Sequence, residues 1–173
     1  MTTDETVYYA TLSHPDWPLV LAATERGFCF LGSLGKDVSE LQTWVQKTIP
    51  RAELKQSEEK LSPFAAQFTE YFEGTRTTFD FPLDMRGTPF QQSVWQALLD
   101  IPYGQVRTYS DIAEHLQKPK AVRAVGSAIG KNPVMIVVPC HRVIQKSGAI
   151  SGYRGSLEMK RQLLKLEEAP ITG

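Results

Sequence analysis

The sequence predicts an α/β protein in two domains: residues 1–86 form a small antiparallel sheet with helices, and residues 87–173 form a mainly helical domain that holds a helix-turn-helix and a reactive cysteine. Three observations carry this reading. Short apolar runs punctuated by turn residues fill the first third of the chain, whereas helix-start signatures dominate after Arg86. The charge reverses at the same place: 8 basic against 13 acidic side chains up to Arg86, net −5, then 11 against 6, net +5. The 173-residue length and 42% hydrophobic content suit one or two globular domains with cores of their own.

Val7 to Leu12, Leu19 to Ala23 and Gly27 to Leu31 read as strands, the last two joined by Thr24-Glu25-Arg26. Val38, Leu41 and Val45 recur at helical spacing, so Asp37 is expected to cap a helix that ends before Pro50. Ser62-Pro63 then opens a second helix, with Phe64, Phe68, Tyr71 and Phe72 as its apolar face and Gly74 as its stop. Thr88-Pro89-Phe90-Gln91 combines an N-cap, a proline at the first helical position and a glutamine placed to close a capping box, for a helix to about Asp100. Thr108-Tyr109-Ser110-Asp111 repeats the signature. A short helix over Ala121 to Ile129 follows, and the pair is a helix-turn-helix candidate. Asn132-Pro133 marks a turn, and Val134 to Val138 reads as a buried strand that delivers Cys140 to its tip. A last helix, Ser156 to Glu168, is expected to turn Leu157, Leu163 and Leu164 inward.

Met1 to Leu12 carries Asp4 and Glu5 rather than a basic stretch followed by an apolar run, and no segment approaches ~18 uninterrupted apolar residues. The expectation is a cytoplasmic protein free of membrane. With Cys29 and Cys140 as the two cysteines, neither a disulfide framework nor a four-cysteine zinc site can form, and no metal is expected.

From His115 to Leu157 the chain holds seven basic residues and no acidic one: Lys118, Lys120, Arg123, Lys131, Arg142, Lys146 and Arg154. Such an excess attracts a polyanion, although a solvated basic face has the same composition. The second helix of the pair sets Arg123 among Ala124, Gly126, Ser127 and Ala128, small residues that allow close approach to a surface. Pro139-Cys140-His141-Arg142-Val143 places a thiol beside an imidazole and a guanidinium, neighbours that favour the reactive thiolate. A lone cysteine is also a common small core residue. In an extended strand His141 would point away from Cys140, so a turn is expected there.

The segment Gly87 to Glu167 resembles the O6-alkylguanine-DNA alkyltransferases, also called methylated-DNA-protein-cysteine methyltransferases. The likeness runs through Gly87-Thr88-Pro89-Phe90-Gln91, Ile101-Pro102, Tyr109, Ala121 to Gly126, Asn132-Pro133, Val137 to Val143, Gly152-Tyr153 and Lys160 with Leu163-Leu164. Residues 1–86 resemble the family in layout alone.

The resemblance implies that Cys140 accepts the alkyl group, that His141 takes the thiol proton through a water, and that Glu167 orients the imidazole. It also implies that Asn132 braces the turn, that Tyr109 donates a hydrogen bond to the departing guanine, and that the backbone around Val143 with Gly152, Tyr153 and Arg154 forms the guanine pocket. Arg123 would fill the gap left by a rotated nucleotide, with Ala124 and Gly126 fitting the minor groove. Without the resemblance, Glu167 reads as a surface carboxylate, Tyr109 as a helix start, Arg123 as a phosphate contact and Asn132 as a turn cap.

Two departures stand out. Members often carry Gly-Gly one residue after the pocket tyrosine, whereas this chain has Arg154-Gly155-Ser156, which puts a bulky cation at the pocket rim; and Cys29 with His14 does not supply the zinc site of some members. The implied function is repair of O6-alkylguanine, and of O4-alkylthymine, in double-stranded DNA. It would proceed by irreversible, stoichiometric transfer to Cys140 in a monomer that needs no cofactor. The rival readings are a binder of alkylated DNA that does not repair it, a helix-turn-helix regulator sensing through Cys140, and a cysteine hydrolase.

Overall fold

A computed structural model describes residues 5–171, so the first four and last two residues of the ranges given above lie outside the described residues. The described chain divides into two compact units that meet at Arg86 and Gly87. In the first, β1 (Thr6–Leu12), β2 (Leu19–Thr24) and β3 (Gly27–Leu31) form the expected antiparallel ribbon, with β2 and β3 buried along their whole length. A fourth strand, β4 (Glu53–Gln56), adds in parallel to β1, so the sheet as a whole is mixed, in the order β3-β2-β1-β4. Its sequence, Glu-Leu-Lys-Gln, lacks the apolar alternation that marks a half-buried strand, as suits a short charged edge. The other edge is covered by the segment before Arg86: Phe28 donates its N–H to Pro82 and accepts from Asp84, both at 2.9 Å. Gly27, at φ +153°, makes this approach possible, because a Cβ there would sit 2.5 Å from the Pro82 carbonyl oxygen.

Helix α1 (Ser39–Thr48) lays Leu41 and Val45 on the face that carries Val7, Val20 and Phe30. The N-cap is Val38 rather than the expected Asp37, which lies one residue ahead and accepts from the Ser39 N–H at 2.9 Å in a local turn. Helix α2 (Glu58–Phe72) covers the opposite face, bringing Phe64 and Phe68 within 5.3 Å of the Phe28 ring. It starts a turn earlier than the Ser62-Pro63 signal suggests, because Ser57 caps the Lys60 N–H; Pro63 then lies inside the helix and removes one early hydrogen bond.

The second unit is mainly helical. Thr88 and Gln91 close a full capping box on α3 (Pro89–Leu98), and Thr108 and Asp111 do the same on α4 (Tyr109–His115). The Trp95 indole donates to the Ala128 carbonyl at 2.8 Å and ties α3 to α5 (Val122–Gly130), the helix that follows α4. Two short strands, β5 (Arg107–Thr108) and β6 (Val143–Ile144), pair in parallel. The last helix, α6 (Leu157–Leu166), buries Met159, Lys160, Leu163 and Leu164. Leu157 does not turn inward: it opens the helix and is 46% exposed. No helix among the described residues is long and apolar enough to cross a membrane.

Candidate active site

Val134 to Val138 is not a strand. Asn132, 1% exposed, accepts the Val134 N–H at 2.9 Å and donates its amide to the Val138 carbonyl at 2.8 Å, which folds the apolar run back on itself. The Val137 N–H reaches the Met135 carbonyl around Ile136, which is held at φ +75°, a left-handed conformation that a β-branched residue rarely adopts. Pro139, at φ −81° and ψ 63°, makes a second three-residue turn, with Cys140 N–H on the Val138 carbonyl at 2.8 Å. An apolar run satisfies a buried strand and a buried knot equally; the asparagine ahead of it decides between them.

Cys140–Arg142 forms one 3₁₀ turn. At about three residues per turn, successive side chains diverge by roughly 120°. Cys140 therefore faces a cavity while His141 and Arg142 reach Glu167 on its far side. The expected turn is present, and through it three consecutive residues serve two different surfaces.

The cavity measures about 140 Å³, comparable to one that admits a single aromatic ring. Its lining includes Tyr109, Gly126, Asn132 and Cys140 together with Gly152, Tyr153 and Arg154. The Tyr109 hydroxyl donates to the Ser151 carbonyl at 3.1 Å. Arg154 hydrogen-bonds to the carbonyls of Asn132 and Pro133 at 3.3 and 3.2 Å, so the rim cation is fastened to the same turn as the thiol. The Tyr153 hydroxyl is buried beside Cys140; burial, then the sulfur's charge, pushes its pKa well above the ordinary value. Val143 is buried and is not one of the cavity's walls. Arg123 and Ala124 are exposed on α5, away from the cavity, and Gly126 connects that face to it.

Behind the thiol, His141 Nε2 and Glu167 Oε2 are 2.7 Å apart and both side chains are fully buried. Arg142 grips the same carboxylate through Nε at 2.8 Å and a terminal nitrogen at 3.0 Å, and donates to the Ile101 carbonyl at 2.7 Å. The Gly104 N–H adds a bond to Glu167 at 3.3 Å. Despite the penalty of burial, the hydrogen bonds from His141 and Arg142 hold Glu167 well below the usual carboxylate range. Burial pushes His141 down, more than Glu167 pulls it up, so the imidazole is neutral near pH 7. With Nε2–H given to Glu167, the lone pair lies on Nδ1, which is buried and has no hydrogen-bond partner among the described residues.

Burial also pushes the Cys140 thiol up, against a hydrogen bond from Asn132 and the charges of Arg154 and Lys160. The expectation of a resting thiolate is thus reversed: at 4% exposure, desolvation outweighs the neighbouring cations. Arg142 is likewise not a surface cation, being 7% exposed and committed to Glu167.

Lys160, part of the family likeness, had no role assigned from the sequence. It is fully buried, and its Nζ donates to the carbonyls of Val143 at 2.7 Å, Ser151 at 2.9 Å and Gly152 at 3.4 Å, joining both ends of the loop that walls the cavity. Burial lowers its pKa to about 8. A signal was present: Lys160, Leu163, Leu164 and Glu167 fall at i, i+3, i+4 and i+7, so two ionisable residues sit on the apolar stripe of α6. Among the described residues no group of three or more His, Cys, Asp or Glu side chains is arranged to hold a metal ion.

Residues 89–169 match the family described as 6-O-methylguanine DNA methyltransferase, DNA binding domain, and residues 7–85 match its ribonuclease-like domain. An inducible methylated-DNA–protein-cysteine methyltransferase of Bacillus subtilis is 50% identical over 96% of this chain and 93% of its own. One from Methanosarcina acetivorans is 42% identical over 93% and 98%. The crystal structure of Mycobacterium tuberculosis O6-methylguanine methyltransferase superposes with a TM-score of 0.80 at 43% identity, covering 95% of both chains. The structure of the M. tuberculosis protein in complex with DNA gives 0.79 at 41%.

Proposed function

The chain belongs to the 6-O-methylguanine DNA methyltransferase family, the methylated-DNA–protein-cysteine methyltransferases of DNA repair, and from that premise we propose that Cys140 is its alkyl acceptor. The observation that carries the proposal is a thiol lining a ring-sized cavity, followed in the same turn by His141, which pairs with the buried Glu167 and whose Nδ1 has no hydrogen-bond partner among the described residues.

The base enters the cavity with O6 toward the sulfur. His141 Nδ1 takes the thiol proton through a bridging water, and Glu167 stabilises the imidazolium that forms. The sulfur attacks the alkyl carbon; the C–S bond forms as the C–O6 bond breaks, and the electron pair leaves with guanine. Tyr109 turns its hydroxyl from Ser151 to the departing base and donates to it. Nothing in this step regenerates the free thiol, so each molecule acts once. The partner is double-stranded DNA: Arg123 fills the gap left by the rotated nucleotide, and Ala124 with Gly126 lets α5 approach the minor groove. Transfer needs no cofactor, because the lesion is the alkyl donor. We also propose that the protein is a cytoplasmic monomer and accepts O4-alkylthymine.

Incubation with a duplex carrying labelled O6-methylguanine, followed by intact-protein and peptide mass spectrometry, tests this. One methyl group per chain, on Cys140, and none on Cys140→Ser, is the expected result. Sustained turnover over many equivalents, or a methyl on Cys29, would overturn it.

A further inference from the structure

Glu167 is shared between two potential cations. One oxygen, Oε2, lies 2.7 Å from His141 and 3.0 Å from Arg142; the other accepts from Arg142 at 2.8 Å and from Gly104 at 3.3 Å. Arg142 cannot swing away: the Ile101 carbonyl holds it at 2.7 Å and its guanidinium lies 5.7 Å from the centre of the Tyr103 ring. Ionisable groups that also bear on the pair are Tyr103, from the loop after α3, Tyr153, from the loop before α6, and Lys160, from α6.

A buried site of this kind tolerates little net charge. With Arg142 charged and Glu167 ionised, the cluster is balanced only if the imidazole is neutral. Remove the guanidinium charge and the buried carboxylate loses the cation that balances it, and the cheapest remedy is a proton on His141, 2.7 Å away. An imidazolium at rest has no lone pair to receive the proton of Cys140.

We propose that Arg142 is a positioning residue of the transfer reaction: by gripping both oxygens of the Glu167 carboxylate it balances that charge and keeps His141 an unprotonated base. The proposal rests on the reading of His141 as the base. It assigns a task to the third residue of the Cys140-His141-Arg142 turn that phosphate binding does not explain, since that side chain is buried.

The test is a histidine titration by nitrogen-15 NMR on the full chain without DNA, with the three histidines assigned through His141→Gln. In Arg142→Met, His141 should take up its proton about one to three pH units higher than in the wild type. Methyl transfer should be slow at pH 7 and recover as the pH rises. Arg142→Lys, which keeps a charge, should stay near the wild type on both readouts. Should Arg142→Met not fold, Arg142→Gln, neutral but still able to hydrogen-bond, carries the same expectation. An unchanged His141 titration in the neutral variant overturns the proposal, as does a rate deficit of equal size at every pH, which is what a purely structural arginine would give. The parent reading fails separately: His141→Ala transferring at the wild-type rate would remove the base, whatever the titrations show.

Discussion

Glu167 and His141 each hold fewer protons in the fold than in the unfolded chain, and the sign of their effect on stability follows from that. Glu167 lies well below the ordinary carboxylate range, so its contribution is complete above the unfolded value of about 4.3 and is lost as the pH falls toward its folded value. His141, kept neutral by burial, adds a loss that begins below about 6.5, where the unfolded imidazole takes a proton and the folded one does not. Melting temperature should therefore fall from about pH 6.5 downward and more steeply below about 4.3. Glu167→Gln should be less stable at neutral pH and lack the steeper acid segment in thermal melts. A variant with the same acid slope as the wild type would show that Glu167 is not the residue that titrates.

Among the elements, the knot between Asn132 and Cys140 has most to do with how the site is built. Asn132→Ala removes its bonds to the Val134 N–H and the Val138 carbonyl and leaves those groups buried without them, a loss of about 2–4 kcal/mol in denaturant unfolding. Alkyl transfer should fall with it, because Cys140 is reached through that knot. Helix α5 supports a different prediction, since Arg123 is exposed and outside the cavity. Arg123→Ala should slow repair of duplex DNA far more than reaction with the free O6-alkylguanine base; equal losses on both would remove Arg123 from nucleotide rotation. What the sequence could and could not reveal divides along the same line. The capping boxes of α3 and α4 were legible because each is closed within four residues. The strand β4 and the knot were not, because the first is polar apart from Leu54, which packs on the core once β4 has paired with β1, while the second has the composition of a strand. The place of Glu167 on the apolar stripe, seven residues after Lys160, marked it as buried, but its role was legible only through family likeness, because its partners His141 and Arg142 lie 26 and 25 residues away.

For the molecule as a whole, binding to DNA should be electrostatic but limited. Of the seven cations between His115 and Leu157, Arg142 is buried and Arg154 is fastened to backbone carbonyls, which leaves Lys118, Lys120, Arg123, Lys131 and Lys146 exposed. The slope of log affinity against log salt should then be no steeper than roughly −4 to −5, measured on undamaged duplex. A much steeper slope would require phosphate contacts from elsewhere on the chain. Methylation should also weaken the fold. It adds a carbon in a closely packed site and removes the proton that couples the thiol to its neighbours, a cost of about 1–3 kcal/mol that should appear as a lower melting temperature of the S-methyl form. Matched melts of the two forms check this, and equal temperatures would mean the site takes its product without strain. The concealment of Cys140, 4% exposed and protonated at rest, has one more consequence. A reagent that can be spent only once is wasted by every peroxide or stray electrophile that reaches it first, and those agents attack thiolates in the open. Kept as an inaccessible thiol, the protein can wait unspent for its lesion, and its useful lifetime is set by damage to DNA rather than by the oxidants around it.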